Sequence, residues 1–185
     1  MSAELDKAIV EECVGSAHGD LDKVRELVER HPGLVDARAP WNETPIEAAA
    51  QLGRRDIIEY LLGKGAPLDF FTACVLGRLD VVEAELARDP ARARAHGVHD
   101  LASLYFAAIG GQAAVADVLL ANGADVNDAV QAAAPIHGAV MSGRPEMVAW
   151  MLEHGADRSL PDYQGRTAAQ LAETMGRADL AALLA

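Results

Sequence analysis

Aromatic side chains make up only 4% of the 185 residues, so the 51% hydrophobic content has to be carried mainly by Ala, Leu, Val and Ile. Small aliphatic side chains suit close helix-on-helix packing and give little support to a sheet, whose strands draw on β-branched and aromatic residues. Cysteine is almost missing. Cys13 and Cys74 form no CxxC pair, which excludes a disulfide framework, and both fall in apolar helical patterns that read as buried thiols. Basic residues are outnumbered, 16 against 28 acidic, for a formal net charge of -12. Phosphates and anionic bilayers both call for a surplus of Lys and Arg, so neither nucleic acid nor a membrane is expected as a partner. No apolar run approaches the roughly 18 residues of a membrane span. Met1 to Val14, with four acids and one lysine, lacks the basic start and apolar run of a signal peptide. A cytoplasmic, monomeric protein is the expectation. Catalytic signatures are missing too: there is no G-x-S-x-G, P-loop, G-x-G-x-x-G or H-E-x-x-H. No cofactor is expected.

What the chain does contain is a repeat. A glycine, a polar residue, two variable positions and an apolar cluster recur from Gly19, Gly53, Gly77, Gly111, Gly143 and Gly176. The spacings are 34, 24, 34, 32 and 33, so four of the five lie close to 33. After each glycine the apolar residues follow helical spacing, as in Ile57, Ile58, Leu61, Leu62 and Val115, Val118, Leu119, Leu120. Thr44 is placed to cap a helix whose first turn holds Pro45, where a missing N–H does no harm. A glycine at the end of such a helix takes the left-handed cap without a Cβ penalty. Each unit is therefore helix, turn, helix, then a loop or finger. One helix pair cannot bury both its faces, so stacked neighbours must supply the core.

The segments around these glycines resemble the ankyrin-repeat family. Thr44-Pro45-Ile46-Glu47-Ala48-Ala49-Ala50 is similar to its Thr-Pro-Leu-His-x-Ala-Ala stretch. Ala134-Pro135-Ile136-His137 and Thr167-Ala168-Ala169-Gln170-Leu171-Ala172 are further copies. The unit endings Gly65-Ala66, Gly123-Ala124-Asp125-Val126-Asn127 and Gly155-Ala156-Asp157 fit as well. The resemblance covers nearly the whole chain. It implies an all-α ankyrin-repeat solenoid of about six stacked helix-turn-helix units with short loops or β-hairpin fingers. A single domain over 1-185 is expected, with repeats near 1-38, 39-66, 67-95, 96-127, 128-160 and 161-185. The first unit, from about Glu4 to Asp36, reads as a cap with Leu5, Ala8, Ile9 and Cys13 on one stripe.

Three departures from the pattern stand out. About nine residues are missing between Leu62 and Phe70, too few for a finger, so the fingers before Thr44 and Leu104 should flank a notch. Asp69 is placed to cap the helix that follows. Glu85 occupies a column that holds Leu27, Leu61, Leu119, Met151 and Leu184 elsewhere. It is either a buried acid, costly unless paired, or a residue left in water by a slightly rotated helix. The column of the family's histidine holds Glu47, Phe71, Tyr105, His137 and Gln170, and the resemblance gives His137 a local, finger-supporting role.

The resemblance also places partners on the concave groove and the finger tips. The groove positions are the two residues before each repeat glycine: Gln51-Leu52, Val75-Leu76, Ile109-Gly110, Met141-Ser142 and Thr174-Met175. This row is apolar where solvent is expected, and with Phe71 and Tyr105 it reads as a patch for an apolar helix, a hydrophobic peptide or a small apolar ligand. The tips lie in 37–43, 95–100, Asp128 to Gln131 and 162–164, where Trp41, Asn42 and Tyr163 are candidate contacts. Trp41 has a second reading, packing on Ile46. His96, His99 and Asp100 fall short of the four N/S ligands of a structural zinc site, and no metal is assigned. Two hypotheses follow. In one, a non-catalytic interaction module binds a protein or peptide through Trp41, Asn42, Leu52, Phe71, Val75, Leu76, Tyr105, Ile109, Met141 and Tyr163. In the other, a small-molecule or enzymatic pocket near the missing finger draws on Glu85, His96, His99 and His137.

Overall fold

The computed structural model of the chain describes residues 5–129 and 133–185. Among them lie six successive helix pairs: α1 (Lys7–Ser16) with α2 (Leu21–Arg30), α3 (Pro45–Gln51) with α4 (Arg55–Gly63), α5 (Phe70–Leu76) with α6 (Leu79–Arg88), α7 (Ser103–Ile109) with α8 (Ala113–Ala121), α9 (Pro135–Ser142) with α10 (Pro145–Glu153), and α11 (Ala168–Thr174) with α12 (Ala178–Leu184). The first helices of the pairs pack in order, α1 on α3, α5, α7, α9 and α11. The second helices form another layer, in which α2 meets α4, α6 meets α8 and α10 meets α12. The core lies between the layers and is aliphatic, with Val14, Ile46, Ile57, Leu61, Leu104, Leu119, Ile136, Met151 and Leu180 all essentially buried. This is the all-α solenoid that the repeat implied. No helix among the described residues is long and apolar enough to cross a membrane.

Local chemistry fixes where the helices begin. At α3 the Thr44 hydroxyl accepts from the Glu47 N–H, and the Glu47 carboxylate accepts from the Thr44 N–H at 2.7 Å. Thr167 and Gln170 repeat this box at α11. Asp69 caps α5, accepting from the Thr72 N–H at 2.8 Å, as its position suggested. Gly77 ends α5 at φ +75°, a conformation that L side chains rarely adopt. The residue after a repeat glycine then ties neighbouring units together. Arg54 donates to the Gly19 carbonyl at 2.5 Å and to Asp56; Arg177 donates to the Gly143 carbonyl at 2.8 Å and to Asp179. Gln112 donates to the Val75 carbonyl at 3.2 Å. There the backbones touch, because a Cβ on Gly110 would collide with that same carbonyl.

The missing finger changes the stacking. With α4 followed almost at once by α5, the third unit does not fully separate its neighbours, and α3 packs directly against α7 as well as α5. The Tyr105 hydroxyl of α7 donates to the Gln51 carbonyl of α3 at 3.3 Å.

One expectation is corrected and two alternatives are resolved. The fingers are tight turns rather than β-hairpins: among the described residues the one bridge joins His96 and Ala102, and the turns close through Ala39 N–H to Glu43 C=O, Gly97 N–H to Leu101 C=O and Asp162 N–H to Arg166 C=O. Val130 and Gln131, in the third expected tip, lie outside the described residues, as does Glu4 of the first unit. The buried stripe of α1 is Val10, Cys13 and Val14, leaving Ala8 exposed. On α6 the helix is turned so that Val82 and Leu86 fill the core. Glu85 is half-buried beside it, paired with Arg88 at 2.9 Å and Arg92 at 3.5 Å.

Candidate functional site

Two clefts meet at one turn. The larger runs along the concave side and encloses about 870 Å³. Leu52, Leu101, Tyr105, Met141, Leu171 and Met175 give it an apolar floor and walls, and Tyr163, 74% exposed, overhangs it. The smaller, about 510 Å³, is the notch left by the missing finger. It opens between the 39–43 turn and the 96–102 turn and is lined by Trp41, Glu43, Glu47, Asp69, Phe71 and His99 among others. His99 and Asp100 border both clefts.

That turn is unusual in its backbone. His99 and Asp100 both adopt left-handed φ, at +55° and +56°, which costs a non-glycine residue about 1–2 kcal/mol. The conformation brings His99 Nε2 to 3.4 Å from a carboxylate oxygen of Glu43. Glu43 is 1% exposed, and the groups around it are neutral donors and histidines. Trp41 Nε1 donates to Oε2 at 2.7 Å, Gln51 Nε2 donates to Oε1 at 3.0 Å, and His18 Nε2 lies 3.8 Å from Oε1. His18 Nδ1 faces the Gly15 carbonyl at 3.1 Å, and its Nε2 meets the Gln51 amide. A His18 protonated on Nδ1 thus donates to Gly15 and accepts from Gln51, which in turn donates to Glu43. Four residues from three units, His18, Trp41, Gln51 and His99, converge on one buried carboxylate.

The far wall of the larger cleft is pinned by a second polar knot. Arg166 Nε and Nη2 donate to Asp162 Oδ2 at 2.8 and 2.7 Å. Burial pushes the Asp162 carboxyl up, but the hydrogen bonds from Arg166 and from the Gln164 N–H, with the Arg166 charge, together outweigh it and leave the group below its usual range. His137, fully buried, has Nε2 3.1 Å from the Arg166 carbonyl and Nδ1 3.3 Å from that of Ala134. It supports the next turn, as the resemblance implied. Burial holds its pKa below the ordinary 6.5, although both carbonyls favour the proton. Burial also raises the Tyr105 phenol well above its usual value.

The expected partner row is only partly at the surface. Leu52 is 37% exposed, Leu76 and Met141 are half-buried, and Trp41 is 46% exposed with its indole edge bonded to Glu43. Asn42 sits at a turn tip with φ +68°, its carbonyl accepting from Arg38 at 2.6 Å. Val75, Ile109 and Tyr105 are 2%, 5% and 3% exposed. α7 packs against both α5 and α3, so these side chains lie mainly between helices and offer little surface to solvent. Phe71 lines the notch, packed on Phe106 with ring centroids 5.0 Å apart.

The four residues of the alternative pocket are not all brought to one place. Glu85 is on α6 with its two arginines, His137 and Tyr105 are in the concave wall, and His96 pairs with Asp128 at 3.0 Å. Only Phe71, His96 and His99 share the notch. Among the described residues no group of three or more His, Cys, Asp or Glu could hold a metal.

Sequence reasoning placed Glu43 and Asp162 in the expected tips without singling them out, and it missed His18. A signal for His18 existed: carrying the groove column back to the first repeat glycine, Gly19, lands on Ala17-His18. Nothing in the sequence marked Glu43, because its burial depends on a turn from another unit.

Comparison with known proteins follows the same lines. A family model described as three copies of ankyrin repeats matches residues 104–185, and a single ankyrin-repeat model matches 41–73. Over 138 residues, 73% of the chain, the sequence is 32% identical to BCL-6 corepressor-like protein 1 of Homo sapiens, of which the match covers 6%. Over 102 residues, 53% of the chain, it is 38% identical to Protein PhlB of Serratia liquefaciens, of which it covers 44%. The chain thus spans less than half the length of either relative.

Proposed function

The chain belongs to the ankyrin-repeat family, and from that premise we propose that it binds an apolar segment of a protein partner in the concave cleft, with no catalytic step of its own. Ankyrin repeats are in general protein-interaction modules, and the observation that carries the finer reading is the cleft itself. Its 870 Å³ is lined by Leu52, Leu101, Met141, Leu171 and Met175 with an exposed Tyr163 at the rim, the composition of a binding surface rather than of a solvated face. Tyr163 and Trp41 are the aromatic types that dominate interface energies. The net charge of -12 selects among apolar partners, favouring a segment flanked by Lys or Arg.

The test is a selection of displayed peptides on the wild type, followed by titration against a Leu52→Asp/Met141→Asp variant. The wild type is expected to enrich apolar peptides with basic flanks. The variant is expected to bind them at least about tenfold more weakly, roughly 1.4 kcal/mol, with its circular dichroism unchanged. Equal binding by a folded variant would remove the concave cleft from the reading.

A further inference from the structure

We propose that the notch made by the missing finger receives one basic side chain, a lysine ammonium or an arginine guanidinium, carried by the segment bound in the concave cleft. The inference rests on the partner-binding reading above and names a second, chemically distinct subsite of it.

Three independent features of the notch converge. The first is a buried carboxyl group with no Lys or Arg beside it among the described residues. Glu43, 1% exposed, lines the notch, and its ion-pair neighbours are the histidines His99 and His18. Among the described residues no Lys or Arg pairs with Glu43, Asp69 or Asp100, whereas Glu47 is already held by Arg38 at 3.0 Å. Buried charges in folded proteins are usually paired, so a cationic ligand would supply what the chain leaves out. The second feature is aromatic. The chain has three Phe, two Trp and three Tyr, and Trp41, Phe71 and Phe106 all line this one cleft. Ring faces attract ammonium and guanidinium groups, most strongly where water is partly excluded. The third feature is place. His99 and Asp100 form the wall shared with the apolar cleft, so a segment lying on the exposed Leu52 has one side chain within reach of the notch. A phosphate or carboxylate would instead meet four carboxylates and one arginine already engaged by Glu47.

The site can be read on the full chain by nitrogen–proton NMR. The Trp41 indole N–H, which donates to Glu43, is a direct reporter, assigned against Trp150 with a Trp150→Phe variant. The probes are N-acetyl-lysine methylamide, N-acetyl-arginine methylamide, the uncharged N-acetyl-norleucine methylamide and n-butylammonium. Saturable shifts of the Trp41 indole and of amides 96–100 are expected with the lysine or arginine probe. Norleucine should bind at least about tenfold more weakly, in line with a charge-dependent aromatic contact. Glu43→Gln should weaken the basic probe while leaving norleucine unchanged. Trp41→Ala, at an exposed turn, should do the same at amides 96–100 and guards against misfolding of the Glu43 variant. Equal shifts with norleucine, or no saturable shift with either basic probe, overturn the proposal. Binding of n-butylammonium as tight as that of the lysine probe overturns the assignment to a peptide-borne side chain in favour of a free amine. The Leu52→Asp/Met141→Asp variant should keep the full notch response, so the two readings fail separately.

Discussion

His137 shows how one side chain ties pH to the stability of a turn. Unfolded, it titrates near 6.5; folded, burial holds it lower. Between those two values the unfolded chain binds the extra proton, so His137 contributes stability above pH 6.5 that is lost as pH falls through the folded value. His137→Gln should therefore flatten the acid limb of a stability-versus-pH curve, measured by urea unfolding, relative to the wild type. A parallel pair of curves would refute it. At Thr44 the expected effect is simpler. Thr44→Ala removes the hydroxyl that caps α3 and should cost about 1 kcal/mol in the same assay. The cysteines should be silent: burial pushes the Cys13 thiol up to about 11 and Cys74 higher still, so neither should react with a thiol reagent at pH 8 until the chain unfolds.

Among elements, the helices were the most legible. Their starts rest on local chemistry, a Thr-Pro or an Asp before an apolar run, and Thr44 and Asp69 cap as their positions suggest. The notch was legible as well, since a length deficit between Leu62 and Phe70 is countable. What could not be read was the rotation of elements against one another. Glu85 escapes the core because α6 turns by about one position, and Val75 and Ile109 enter it because α7 closes on α5 and α3. Both follow from non-local packing that no single repeat encodes. Glu43 was not singled out for the same reason, its second coordination partner lying 56 residues away at His99. Gly110 tests that close approach. A Cβ there meets the Val75 carbonyl, so Gly110→Ala must push α5 and α7 apart and should destabilise the chain by about 1–3 kcal/mol, the scale of overpacking. A neutral melting temperature would show the interface to be looser than drawn.

On the scale of the whole molecule, a repeat solenoid ordinarily distributes stability among nearest neighbours. This one does not do so evenly. The contact of α3 with α7, and the hydrogen bond from Tyr105 to Gln51, couple the second unit to the fourth across the third. Amide exchange should therefore give one common opening free energy for α3, α5 and α7 and lower, separate values for α2 and α12. Graded protection along the chain would contradict it. The same contact has a mechanical meaning. Pulled from its two ends, a regular solenoid pays out one unit at a time, like beads leaving a string. Here the outer units should yield in small steps, and the three central ones should give way together at a higher force. A shorter repeat in the middle of the chain would thus act as a clasp.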